Sequence, residues 1–174
     1  MIVEIIADGK ELLCGTVPAD ADAFLKKTED LYAWQLKQEG VLPDSCGRAE
    51  VSLSIVAPER IRELNLRYRG SDTPTDVLSF PLWEDDQKFV PPDRWECIPL
   101  GDIVICPEKI MENASENSRI YMKELVLVLS HGLLHLIGYD HCDEDSERTM
   151  WALQDRMVDK FFAGGDDGNG RQKK

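Results

Sequence analysis

Between Tyr121 and Tyr139 the chain reads YMKELVLVLSHGLLHLIGY, and no other stretch limits its folding as strongly. From Leu125 to Tyr139 apolar residues occupy nearly every side of a helical wheel. A helix of that kind has to be surrounded. It is shorter than the ~20 apolar residues that cross a bilayer. The stretch therefore predicts a buried helix over about Arg119 to Ile137, at the centre of a soluble core, with no membrane partner. The other elements of the chain must wrap around it, and 174 residues suffice for one domain that does so.

Those elements can be read from pattern. Ile2 to Ile6 predicts a strand. Asp20 can cap a helix that runs to about Gln38 and stops at Gly40. Its apolar stripe holds Phe24, Leu25, Leu31, Tyr32 and Leu36, interrupted by Thr28 and Gln35. Val51 to Val56 alternates apolar residues with Ser and predicts a strand with one buried face. Pro58 opens a helix to about Tyr68. Val77 to Phe80 and Asp102 to Cys106 predict two short buried strands. Between them Pro81 to Pro99, with Trp83 and Trp95, reads as an inserted loop. A last helix, about Asp143 to Phe162, carries Met150, Leu153, Met157 and Phe161 on one stripe. The tail, Gly164 to Lys174, is polar and Gly-rich and reads as disordered. The expected fold is α+β (mixed α/β): a single domain over residues 1–163 whose short mixed sheet is packed with helices.

All three histidines of the chain, His131, His135 and His141, lie at the end of the central apolar helix or just after it. His131 and His135 are four apart and share a helix face. Gly138 can end the helix and turn the chain, letting His141 swing back toward them. Three imidazoles at one point leave a fourth position for water, as in catalytic rather than structural zinc sites. The spacing H-x3-H-x5-H is that of the metzincin peptidases. Position 132 is Gly, however, where those enzymes carry their general-base Glu, so peptide hydrolysis is a poor expectation.

A second cluster is LNLRYRGSDTPTDVLSFP, Leu64 to Pro81. With Arg60 and Arg62 before them, Arg67 and Arg69 make a local positive patch, set against Glu59 and Glu63. Guanidinium groups bind phosphate in bidentate fashion. The alternative is a solvated face of Arg–Glu pairs.

HGLLHLIGYDH, LNLRYRGSDTPTDVLSFP and LGDIVICPE together, in this order, resemble the YbeY family. The resemblance spans about Val51 to His141. It implies a single-strand-specific, zinc-dependent endoribonuclease that acts in ribosomal RNA maturation and ribosome quality control. It further implies zinc on His131, His135 and His141, a functional arginine at Arg69, and small-subunit ribosomal RNA and the ribosome or its proteins as partners, with no role for DNA. The inserted segment and the tail depart from the family pattern. The nucleophile on the phosphodiester is then either water or the substrate's own 2′-hydroxyl. Both routes build negative charge on phosphoryl oxygens, which Arg69 is suited to stabilise.

Asp140 can orient an imidazole, or Asp140 or Asp143 can cap the last helix. Asp102 can serve the site or start its strand. Thr75 and Ser79 can contact phosphate or act as cap and strand hydroxyls. Tyr68, Trp83 and Tyr139 can stack bases or fill the core. A net charge of -13 excludes a basic surface spread over the whole molecule, and it predicts weak, salt-sensitive affinity for naked RNA. Five cysteines without a CxxC pair suggest reduced thiols and a cytoplasmic protein. Two other readings compete: a non-catalytic ribosome-assembly factor with a structural metal, and a metal-dependent hydrolase of another substrate.

Overall fold

Alternate burial runs the length of the strand Arg48–Ile55 (β2): Ala49, Val51, Leu53 and Ile55 are buried, and the residues between them are not. β2 lies inside a four-stranded sheet. The computed structural model describes residues 1–13, 17, 20–86, 88–140 and 143–163. Its elements follow β1 (Ile2–Asp8), α1 (Ala21–Glu39), β2, α2 (Pro58–Arg69), β3 (Val77–Pro81), β4 (Glu84–Asp85), β5 (Lys88–Phe89), β6 (Cys97–Ile105), α3 (Pro107–Glu116), α4 (Tyr121–Leu136) and α5 (Glu144–Ala163), with a 3-10 turn at Lys10–Leu13. The sheet order is β1-β2-β6-β3. β1, β2 and β6 run parallel, and β3 closes the edge antiparallel to β6. This is the expected α+β architecture.

One sheet face carries the main core. Val51, Leu53, Ile103 and Ile105 meet Leu125, Leu129, Leu133 and Leu136 of α4, and Phe24, Leu31 and Tyr32 of α1 join the same cluster. The central helix is thus enclosed as its composition requires. Tyr32, fully buried, donates its hydroxyl to the carbonyl of Leu129 at 2.7 Å and ties α1 to α4. On the other face α2 sets Ile61 against Leu78, Val104 and Cys106. Among the described residues no helix is long and apolar enough to cross a membrane.

Local chemistry explains most boundaries. Asp20 accepts from the Asp22 N–H at the start of α1, and Gly40 ends it in the left-handed conformation. Thr28 and Gln35 interrupt the apolar stripe and are both buried, each with its donor bonded, while the Gln35 Oε1 has no partner among the described residues. Thr28 donates to the Phe24 carbonyl, and Gln35 donates to Glu39.

The sheet differs from expectation in two places. β6 begins at Cys97, not Asp102. Pro99 and Gly101 read as breakers, but the strand continues through a bulge opposite Glu50 and Val51. Gly101 is required there: with φ +143°, a Cβ on it would sit 2.2 Å from the Phe80 carbonyl oxygen. The inserted segment is not a plain loop either. β4 and β5 pair as a hairpin. The Trp83 indole, edge-on to Trp95, donates to the Pro99 carbonyl and fastens the hairpin to β6. The helix α3 was not expected from the sequence. The tail 164–174 lies outside the described residues.

Candidate metal centre and cleft

The last turns of α4 present His131 and His135 side by side, half-buried. Their rings meet edge to face at 4.5 Å, and the two Nε2 atoms approach to 3.0 Å. Two nitrogens bound to one zinc ion at ~2.0–2.1 Å and a tetrahedral angle would lie ~3.3 Å apart. The pair therefore fits a shared ion, and imidazole is a suitable donor for zinc, copper or nickel. Among the described residues no three His, Cys, Asp or Glu side chains gather around one point. His141, the third expected ligand, lies outside the described residues.

After Leu136 the chain turns at Gly138, with φ +90°. A Cβ on Gly138 would sit 3.0 Å from the Phe89 nitrogen, so the hairpin passes directly over the turn. Here the insertion joins the site. A cleft of about 200 Å³ is lined by Arg69, Ser79, Pro81, Glu84, His135, Gly138, Tyr139 and Asp140. Glu84 of β4 was not foreseen, because a site residue inside an inserted segment gives no spacing signal.

Arg69 is the last residue of α2, exposed at the cleft. Its neighbours are differently engaged. Arg60 pairs with Glu63, Arg62 makes a fork to Asp72, and Arg67 lies over the Tyr68 ring. Among the described residues Arg69 has no carboxylate partner. The cluster thus divides into two ion-paired arginines, one that lies over a ring, and one that lines the cleft. Ser79 of β3 also lines it; its hydroxyl oxygen is buried and has no hydrogen-bond partner among the described residues.

Asp140 lines the cleft, while Asp143 caps α5 by accepting from the N–H groups of Asp145 and Ser146 and from the Ser146 hydroxyl. The Ser146 contacts hold the Asp143 carboxyl below its usual range. The two aspartates therefore take separate roles.

Thr75 and Asp102 are not brought to this cleft. Thr75 donates to Asp76, which also binds the Val77 N–H and Asn113 of α3. Asp102 is exposed beside Phe80, on the sheet face that α2 covers, because Ile103 next to it points to α4.

The aromatic candidates also separate. Tyr68 is exposed next to Arg69 and edge-on to Phe80. Trp83 is committed to the hairpin. Tyr139 lines the cleft and gives its hydroxyl to Glu39, which also accepts from Gln35 and pairs with Arg156 of α5. Burial, then the Glu39 contact, push the Tyr139 hydroxyl up to about 12. It stays a neutral donor at physiological pH.

One residue near the histidines had escaped the sequence reading. Gln154 of α5 is buried, with Oε1 3.4 Å from His131 Nδ1. The expected stripe assigned this place to Leu153, which is only partly buried. A glutamine one position along, among Met150, Met157 and Phe161, was the available signal.

A family model described as Endoribonuclease YbeY matches residues 15–162. An endoribonuclease YbeY from Bacillus velezensis is 41% identical over 147 residues, covering 84% of this chain and 89% of its own length. One from Geobacillus thermodenitrificans is 46% identical over 146 residues, covering 79% of this chain and 94% of its own. A Thermotoga maritima protein whose structure was determined in solution superimposes with a TM-score of 0.57 at 28% identity, covering 99% of both chains. The motifs, the fold and these likenesses agree over most of the sequence, and the chain belongs to the YbeY endoribonuclease family.

Proposed function

We propose that this protein is a zinc-dependent endoribonuclease that cuts single-stranded RNA during maturation and quality control of ribosomal RNA in the cytoplasm. One observation carries the reading: the Nε2 atoms of His131 and His135 converge to 3.0 Å beside a cleft that also holds Arg69 and Ser79. His141 would complete the ligand set. Zinc held there supplies an activated water at neutral pH.

The chain's own residues account for the rest of the chemistry. Arg69 offers a fork of N–H donors to phosphoryl oxygens as their charge grows. The Ser79 hydroxyl, without a hydrogen-bond partner among the described residues, offers a further donor. The cleft is small and rimmed by Pro81 and the hairpin. It suits a strand whose backbone can enter without a paired partner. Ribosomal components as partners rest on the family resemblance.

The experiment is cleavage of a ribosomal RNA fragment with single-stranded ends by metal-stripped and zinc-restored protein, with an annealed duplex as competitor. Expected is zinc-restored cutting confined to the single strand. A 2′,3′-cyclic phosphate end would identify the 2′-hydroxyl as nucleophile; a 5′-phosphate end would identify water. Absence of cutting in both forms would favour the assembly-factor reading.

Arg69→Ala is expected to lower the cleavage rate by about 10²-fold, the scale of one lost transition-state donor. Arg69→Lys should recover only part of it, since a point charge lacks the fork. Single-turnover rates on the same fragment check this. Equal rates for all three proteins would remove Arg69 from the chemistry.

A further inference from the structure

We infer that Gln154 is a positioning residue for the metal centre, acting through His131. The inference rests on the reading of His131 and His135 as metal ligands.

The argument starts from burial. Gln154 is 5% exposed and sits in the α5 stripe with Met150, Met157 and Phe161, all buried. A glutamine amide in such a place is costly unless it is hydrogen-bonded. An apolar side chain of similar size would serve packing alone. The amide oxygen instead faces His131 Nδ1 at 3.4 Å.

That contact selects a tautomer. An oxygen accepts, so the Nδ1 atom must carry the proton. In a neutral imidazole the lone pair then lies on Nε2, the atom that approaches His135 Nε2. A metal-bound histidine regularly donates its other ring N–H in this manner, which fixes the ring and strengthens the ligand. The reversed amide would set an N–H against Nδ1 and leave the proton on Nε2, where it blocks binding. Residue 154 is 23 positions from His131, so no local spacing pattern links the two. The packing of α5 on α4 brings them together. α5 is thus part of the metal centre without supplying a ligand.

The test compares wild type, Gln154→Leu, Gln154→Glu and His135→Ala, each prepared metal-free. Zinc affinity is measured by competition with a chromophoric chelator, and thermal unfolding is measured without metal. Gln154→Leu should weaken zinc binding by about 10- to 100-fold, with a metal-free melting temperature no lower than wild type. Gln154→Glu, which keeps an acceptor oxygen, should restore wild-type affinity or exceed it. If the Leu variant loses helical circular dichroism, Gln154→Met, unbranched and apolar, takes its place. Wild-type affinity in the apolar variant overturns the inference and leaves the metal reading intact. Equal weakening by Leu and Glu overturns it too, since packing rather than the acceptor would then matter. A wild type that holds no more zinc than His135→Ala overturns both.

Discussion

His135→Ala will give a folded protein that holds zinc poorly and does not cut RNA. His135 lies in the last turn of α4 and is only half-buried. Alanine is the best helix former and leaves no buried polar group behind. The fold should therefore survive, with a metal-free melting temperature near that of wild type. The ligand set should not survive. Zinc on four protein ligands binds with ~10–16 kcal/mol, so each ligand is worth on the order of 3 kcal/mol and its loss weakens binding by ~10²-fold or more. Cleavage should fall further, by on the order of 10³-fold, because at assay concentrations the activated water is lost with the ion. The check is a time course of RNA cleavage by zinc-loaded wild type and by the variant purified in parallel. Equal cutting by both would point to a contaminating ribonuclease or to chemistry without the histidines, and the metal reading would be abandoned.

The sequence made this site partly readable, and the reasons are local. His131 and His135 are related by helical periodicity, which survives folding unchanged. The ends of α1 and α2 are marked by Asp20, Gly40, Pro58 and Gly70, whose backbone preferences act within one turn. The missed features depend on partners distant in sequence. Pro99 and Gly101 look like breakers until β3 is placed alongside, when Gly101 becomes the residue that admits the Phe80 carbonyl. The hairpin holds through Trp83 and Pro99, sixteen residues apart. α3 buries only Pro107, Ile110 and Ala114, too few for a visible stripe. The face of Asp102 follows from alternation with Ile103, and Ile103 is assigned only once α4 has docked on the sheet. Gln154 acts on His131 only after two helices have docked.

Gly132→Glu will unfold the protein rather than convert it to a peptidase. By spacing alone this position looks like a metzincin site that has lost its general base. Packing gives it a different role. Gly132 is buried on the face of α4 that lies against β6. A Cβ there would stand 2.9 Å from Ile103 Cδ1 and 3.0 Å from its Cγ2. Glycine is what lets α4 come this close to the sheet, and so helps set where His131 and His135 stand. Glutamate would add overpacking of ~1–3 kcal/mol and an unpaired buried charge of several kcal/mol more. That sum is comparable to a domain's whole stability of ~5–15 kcal/mol. Gly132→Ala separates the two costs. Ile103, with three side-chain carbons 2.9–3.3 Å from that Cβ, would have to shift, while the helix gains ~1 kcal/mol in propensity, so a destabilisation well short of the Glu variant's is expected. Thermal unfolding followed by circular dichroism measures both variants. A Glu variant that melts within a few degrees of wild type would show that the α4–β6 contact is looser than described. Peptidase activity in that variant would return the chain to the metalloprotease reading that the glycine argues against.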